Sequence, residues 1–235
     1  MIDVGLLASI AIVLIVPAVF VPPWPTSAAA TGLLDTAGGA VLIGLLVGRL
    51  AAVAIDDPGA LSRIGDLMII RSGVEFWPGV AAGTAWIAMR SKRDQIAPAQ
   101  RLAALTTPAL VAWACYEAAC LVRDGCPGPL SSLGLRPDGL VARVFPVDVL
   151  AAAAAVGAAI ATRHFHRRGM PSLQVVILAI ALLSTIRSVA SIWLPHIGDG
   201  LTRQHETSLV IAVIATLTFI ALRIREQRSP ATTDP

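Results

Sequence analysis

Long apolar stretches alternate with short polar connections along this chain, and the length of the apolar stretches decides how they are read. A helix that crosses a hydrocarbon core of roughly 30 Å needs about 20 mostly apolar residues. Runs of that kind occupy residues 4–22, 33–55, 74–89, 102–122, 145–162, 172–194 and 207–224, and they predict seven membrane-spanning helices. The third run is the least regular, being short, interrupted by Pro78 and rich in glycine. The first has the length of a signal peptide but lacks a basic start. It continues into Val21-Pro22-Pro23-Trp24-Pro25, which reads as a retained helix ending on an interfacial tryptophan.

Composition strengthens this reading. Hydrophobic residues make up 56% of the 235 and charged residues only 14%, where a soluble domain carries about a quarter charged residues. Lipid must therefore supply much of the solvent. The expectation is an all-α integral membrane protein, with residues 1–228 as a single seven-helix domain and 229–235 as a disordered polar tail.

The net charge of +3 would suit a nucleic-acid partner, but the basic residues fall in short runs between apolar stretches, which is a topology signal. Nucleic acid is excluded on that ground. Arg90, Lys92, Arg93 and Arg101 follow the third run, Arg163, Arg167 and Arg168 the fifth, and Arg223, Arg225 and Arg228 the seventh. The other loops carry fewer bases, offset by acids such as Asp56, Asp124 and Asp199. The positive-inside rule then puts the N-terminus outside and the C-terminus in the cytoplasm, as an odd number of spans requires.

Three local features remain. Gly44 with Gly48, and Gly79 with Gly83, have the spacing that lets helices approach closely, and packing is their expected role. Cys115, Cys120 and Cys126 lack the partners of a zinc site; they read as small apolar fillers, with one external bridge open to them. The loop 123–144 is rich in Gly, Pro and Leu. Its apolar character suits a segment lying along the outer leaflet, either as a lid over a lipid site or as a plain interfacial connector.

Candidate chemistry lies in the ionisable residues within the apolar runs, because a charge at membrane depth is costly and marks a function or a paired partner. Arg49, Glu117, Asp148 and Arg187 qualify, and Glu75 sits at the mouth of the third run. Arginine–carboxylate pairs of this kind can be purely architectural. Alternatively, the guanidinium fork holds phosphate oxygens in pairs and keeps its proton at depth, so Arg187 and Arg49 are candidates for an anionic lipid headgroup. Arg123 and Arg143, bounding the external loop, could join them at headgroup level.

In order and spacing the chain resembles bacterial prolipoprotein diacylglyceryl transferase (Lgt). The resemblance runs through Gly48-Arg49-Leu50, then Ser72-Gly73-Val74-Glu75-Phe76-Trp77-Pro78-Gly79, similar to the family's Gly-Gly-Met-Ser-Phe-His-Gly-Gly. Glu117-Ala118-Ala119-Cys120 and Asp124-Gly125-Cys126-Pro127-Gly128 stand where the family has a Gly-Arg-(Ile/Leu)-Gly signature running to a Gly-containing turn. Phe145-Pro146-Val147-Asp148 stands for His-Pro-x-Gln, and Arg187 for an arginine late in the sixth helix.

The resemblance implies transfer of diacylglyceryl from phosphatidylglycerol, or a related anionic phospholipid, to a cysteine thiol of a lipoprotein precursor. It also implies a bacterial plasma-membrane location, and no metal or organic cofactor. Departures from the family pattern divide the expectation. Trp77 and Phe145 replace histidines, Glu117 replaces the signature arginine, and Asp148 replaces a glutamine. A divergent transferase would use Arg187 and Arg49, with Arg123, for phosphate, and Glu75, Glu117 or His205 as base. A degenerate member would bind a lipid, a lipoprotein or another membrane protein.

Overall fold

The protein is described here by a computed structural model covering residues 4–20, 27–56, 58–59, 74–121, 128–136, 142–193 and 202–228, without the side chains of 4–10, 14 and 27–31. Each of the seven apolar runs contains an α-helix: α1 (Val4–Val19), α2 (Ser27–Asp56), α3 (Phe76–Arg93), α4 (Pro98–Ala118), α5 (Val147–Arg167), α6 (Ser172–Ser191) and α7 (Arg203–Arg228). Several helices outrun the apolar residues that predict them. Helical hydrogen bonding continues through good helix formers such as Arg225-Glu226-Gln227-Arg228, whereas hydropathy does not.

Five of the helices, α2 and α4 to α7, are long and apolar enough to cross a membrane. At 16 residues α1 is shorter than these, and α3 spends its last turn on Arg90, Lys92 and Arg93.

Burial follows a lipid logic. Beyond Val147 at its start, the buried side chains of α5 are Ala151, Ala152, Ala155, Ala158, Ala159 and Thr162, small residues recurring on one helical face. Large apolar side chains point outward instead, with Leu42 70%, Ile160 65% and Leu217 62% exposed. A soluble protein does not display such a surface, so the fold is that of a multi-pass, predominantly α-helical membrane protein. Hydroxyls inside the helices donate back to the preceding turn, as Ser184 does to Ile180 O at 2.6 Å and Thr162 to Ala158 O at 2.9 Å. That satisfies groups for which lipid offers no partner.

The chain divides into two compact units, residues 1–20 with 106–235, and residues 21–105. In the first, α6 packs on α5 and on α7, and its core gathers Leu110, Val111, Ala158, Ala159 and Ala179. The turn from α5 to α6 closes at Gly169, whose φ of +86° suits glycine. The Met170 amide donates to Phe165 O and the Gly169 amide to His166 O, both at 3.1 Å, completing a Schellman motif.

Where the sequence suggests only a loop, the first unit also holds a short strand, β1 (Leu130–Leu135). It bridges antiparallel to Val144, with the Ser131 amide donating to Arg143 O at 3.0 Å and the Phe145 amide to Pro129 O at 2.9 Å.

In the second unit α2 packs on α3. The basic group at the end of α3 is not all solvated loop. Arg101 is 3% exposed and its Nη1 donates to Asp94 Oδ2 at 2.7 Å, tying the first turn of α4 to the residue capping α3.

Candidate functional site

Arg187 lies four positions from the end of α6 and reaches back to α4. Its Nη1 stands 3.8 Å from Glu117 Oε1, and its guanidinium carbon lies 5.8 Å from the Trp113 ring centroid. The side chains of Arg187 and Glu117 are only 16% and 15% exposed, so the charges face each other with little water between. At 3.8 Å this contact is an ion pair across the helix interface. Glu117 and Trp113 share a face because they are four residues apart on one helix. The indole Nε1 of Trp113 is buried and donates to no group in the described structure. Sequence reading singled out both charges but missed Trp113; a tryptophan one turn from a buried acid is the signal that was available.

His205 is 7% exposed. It sits in the first turn of α7, where its amide donates to Thr202 Oγ1 at 3.2 Å in an N-cap arrangement. Its Nδ1 lies 2.9 Å from Ser188 O and 3.0 Å from Ser191 Oγ. A carbonyl can only accept, so Nδ1 is the donor in that contact, and in the neutral ring the lone pair then lies on Nε2. Ser191 Oγ donates to the same carbonyl at 2.7 Å. Adjacent residues of α6 thus serve two clusters, Arg187 through its side chain to α4 and Ser188 through its carbonyl to α7.

Asp148 falls in the first turn of α5 and Pro146 caps that helix. Because α5, α6 and α7 run antiparallel in succession, Asp148, Arg187 and His205 all belong to one end of the first unit. Arg143 is exposed on the ribbon beside β1. Arg123 and Gly125 fall outside the described residues, as do Cys126 and the tail 229–235. Cys120 is disulfide-bonded and Cys115 is a free thiol, so the bridge left open by the sequence is present at the end of α4.

Arg49 and Glu75 belong to the second unit and are built into its helix contact. A carbon added at Gly44 would lie 2.9 Å from Gly79 O, and one added at Gly79 would lie 2.7 Å from Gly44 O. A Cβ on Gly48 would meet Glu75 O at 2.7 Å, and one on Gly83 would meet Ala40 O at 3.0 Å. The two glycine pairs therefore interlock, backbone on backbone. The Glu75 amide donates to Gly48 O at 3.0 Å, which sets Glu75 as the residue before α3 against the helix that carries Arg49. Trp77 stacks edge-on against Phe76, with ring centroids 5.1 Å apart.

A shallow groove of about 350 Å³ runs along α6 and α7, lined by Thr185, Ser188, Val189, Leu209, Ala212 and Val213. Among the described residues no group of three or more His, Cys, Asp or Glu side chains could hold a metal ion.

These features define an α-helical membrane protein with a buried charge pair and a tautomer-fixed histidine at one end of its larger unit. No family model matches the chain, and no curated protein matches it either.

Proposed function

We propose that this chain is a divergent diacylglyceryl transferase-like protein of the bacterial plasma membrane, engaging an anionic phospholipid such as phosphatidylglycerol through Arg187. The observation that carries this reading is the Arg187–Glu117–Trp113 cluster, a largely buried guanidinium within a helix bundle facing a carboxylate at 3.8 Å and an aromatic ring at 5.8 Å. A phosphate offers two oxygens in the geometry of the guanidinium fork and can take the place of Glu117.

In this reading seven helices span the membrane, with the N-terminus outside and the C-terminus cytoplasmic. The disulfide at Cys120 supports that orientation, because such bonds persist on the oxidising, extracytoplasmic side. Arg187, Glu117 and His205 then lie at the level of the outer leaflet.

Transfer requires the acceptor thiol to lose its proton and its sulfur to form a bond to the terminal glyceryl carbon. The bond from that carbon to the phosphate oxygen breaks, and glycerol phosphate leaves. His205 is the base best suited to the first step, since Nδ1–H is held by Ser188 O and Nε2 keeps its lone pair. Glu117 is committed to Arg187 and would neutralise it until lipid arrives. Arg187 would then stabilise the charge on the departing phosphate. Arg143, in the same unit, remains a candidate for the same headgroup, while Arg49 as a phosphate-binding candidate and Glu75 as a candidate base belong to the second unit.

A second reading is favoured by the same ion pair: a degenerate member in which Glu117 permanently neutralises Arg187 and the protein binds a lipid, a lipoprotein precursor or another membrane protein. Incubating the purified protein with labelled phosphatidylglycerol and a lipobox peptide separates the two. Release of glycerol phosphate supports the transferase. Retained lipid without release supports the binding protein. The absence of both lipid retention and glycerol phosphate release would sink the headgroup assignment.

A further inference from the structure

Apart from Arg143, the ribbon formed by β1 and residues 143–145 has no part in the proposed chemistry, and its surface is unusual. Leu130 and Leu133 are 77% and 75% exposed, and Leu135 is 40% exposed, although the strand is tied down by two backbone hydrogen bonds. Chain connectivity sets its depth. The ribbon links α4 to α5, and both helices are long and apolar enough to cross a membrane. Apolar exposure continues from the ribbon onto these helices, with Leu121 at 56%, Tyr116 at 53% and Leu150 at 52%.

Two further features confine the ribbon to a narrow layer. β1 bridges to Val144 at both Leu130 and Leu135. Non-helical backbone of this kind, outside a closed barrel, does not enter lipid-exposed hydrocarbon, where no water satisfies amides and carbonyls. The exposed Arg143 beside it carries a charge suited to lipid phosphate.

We infer that the ribbon is a membrane-surface anchor, with Leu130, Leu133 and Leu135 set in the boundary between headgroups and acyl chains and Arg143 at phosphate level. The occupant of this apolar face is phospholipid. The inference does not depend on transferase activity or on Arg187.

Site-directed spin labelling of the full chain in phosphatidylcholine–phosphatidylglycerol vesicles tests it. A nitroxide is attached at Leu133→Cys in a Cys115→Ala background, leaving the disulfide intact. The expected result is stronger relaxation by oxygen, which partitions into lipid, than by a water-soluble nickel chelate, with a label at Arg143→Cys showing the reverse order. Leu130→Cys gives an independent reading should the first variant fail to fold. A chelate-dominated signal at both leucines would place the ribbon in water, and protection from both reagents would mean that protein covers it. Either outcome overturns the inference.

Discussion

Arg187 Nη1 and Glu117 Oε1 face each other at 3.8 Å between α6 and α4, each side chain about five-sixths buried. A charge left alone at that depth is costly, so removing either partner should cost about 3 kcal/mol. Arg187→Met and Glu117→Leu together should recover most of that loss, because no isolated charge remains. Reversible unfolding in mixed micelles measures the cycle. If the single variants are as stable as the parent, the pair is not buried as described. Lipid retained on purification should fall in Arg187→Ala and survive in Glu117→Gln, which keeps shape without competing for the guanidinium.

His205 separates structure from chemistry. Asparagine can place a donor near the position of Nδ1, so His205→Asn should keep the bond to Ser188 O and remain folded. His205→Leu should lose about 1–3 kcal/mol by removing that donor from a buried carbonyl. Nitrogen-15 spectra of labelled protein should show the Nδ1–H tautomer. An Nε2–H tautomer would contradict the hydrogen-bond assignment. If transfer occurs, His205→Asn should abolish it without a matching loss of stability.

The glycine interlock is tested at two contrasting positions. A Cβ at Gly44 or Gly79 meets a backbone oxygen under 3 Å away, so alanine there must push α2 from α3, costing about 1–3 kcal/mol. Gly157, inside α5, has nothing within 4 Å of its added carbon. Gly157→Ala should be neutral or stabilising by up to about 1 kcal/mol, since alanine is the better helix former. Equal effects at the three sites would contradict the packing.

Orientation and the disulfide are checked together. One cysteine thiol should alkylate before reduction and three after it, with Cys115 as the first. Alkaline phosphatase fused after residue 121 should be active, and the same enzyme fused after 228 inactive. The opposite pattern would reverse the topology.

Much of this molecule is legible in one dimension. Each apolar run contains a helix because run length and hydropathy are local properties that lipid, rather than distant chain, selects. Arg187 and Glu117 also stand out locally, since an ionisable residue among apolar neighbours needs a reason, whereas His205 sits in the polar stretch Arg203-Gln204-His205-Glu206. The glycine spacings announced close packing, though not which helix would meet which. The strand β1 was not legible, because its six residues lack the alternation of a half-buried strand and form it only by pairing with Val144.

What the sequence determined by itself is that each apolar run carries a helix, and that charges lie inside some of them. Tertiary structure alone decided that Glu117 quiets Arg187, that Trp113 lies beside it, and that Ser188 fixes the proton of His205. The reason is that hydropathy acts residue by residue, whereas a charge pair or a fixed tautomer depends on distances between helices that no local pattern specifies.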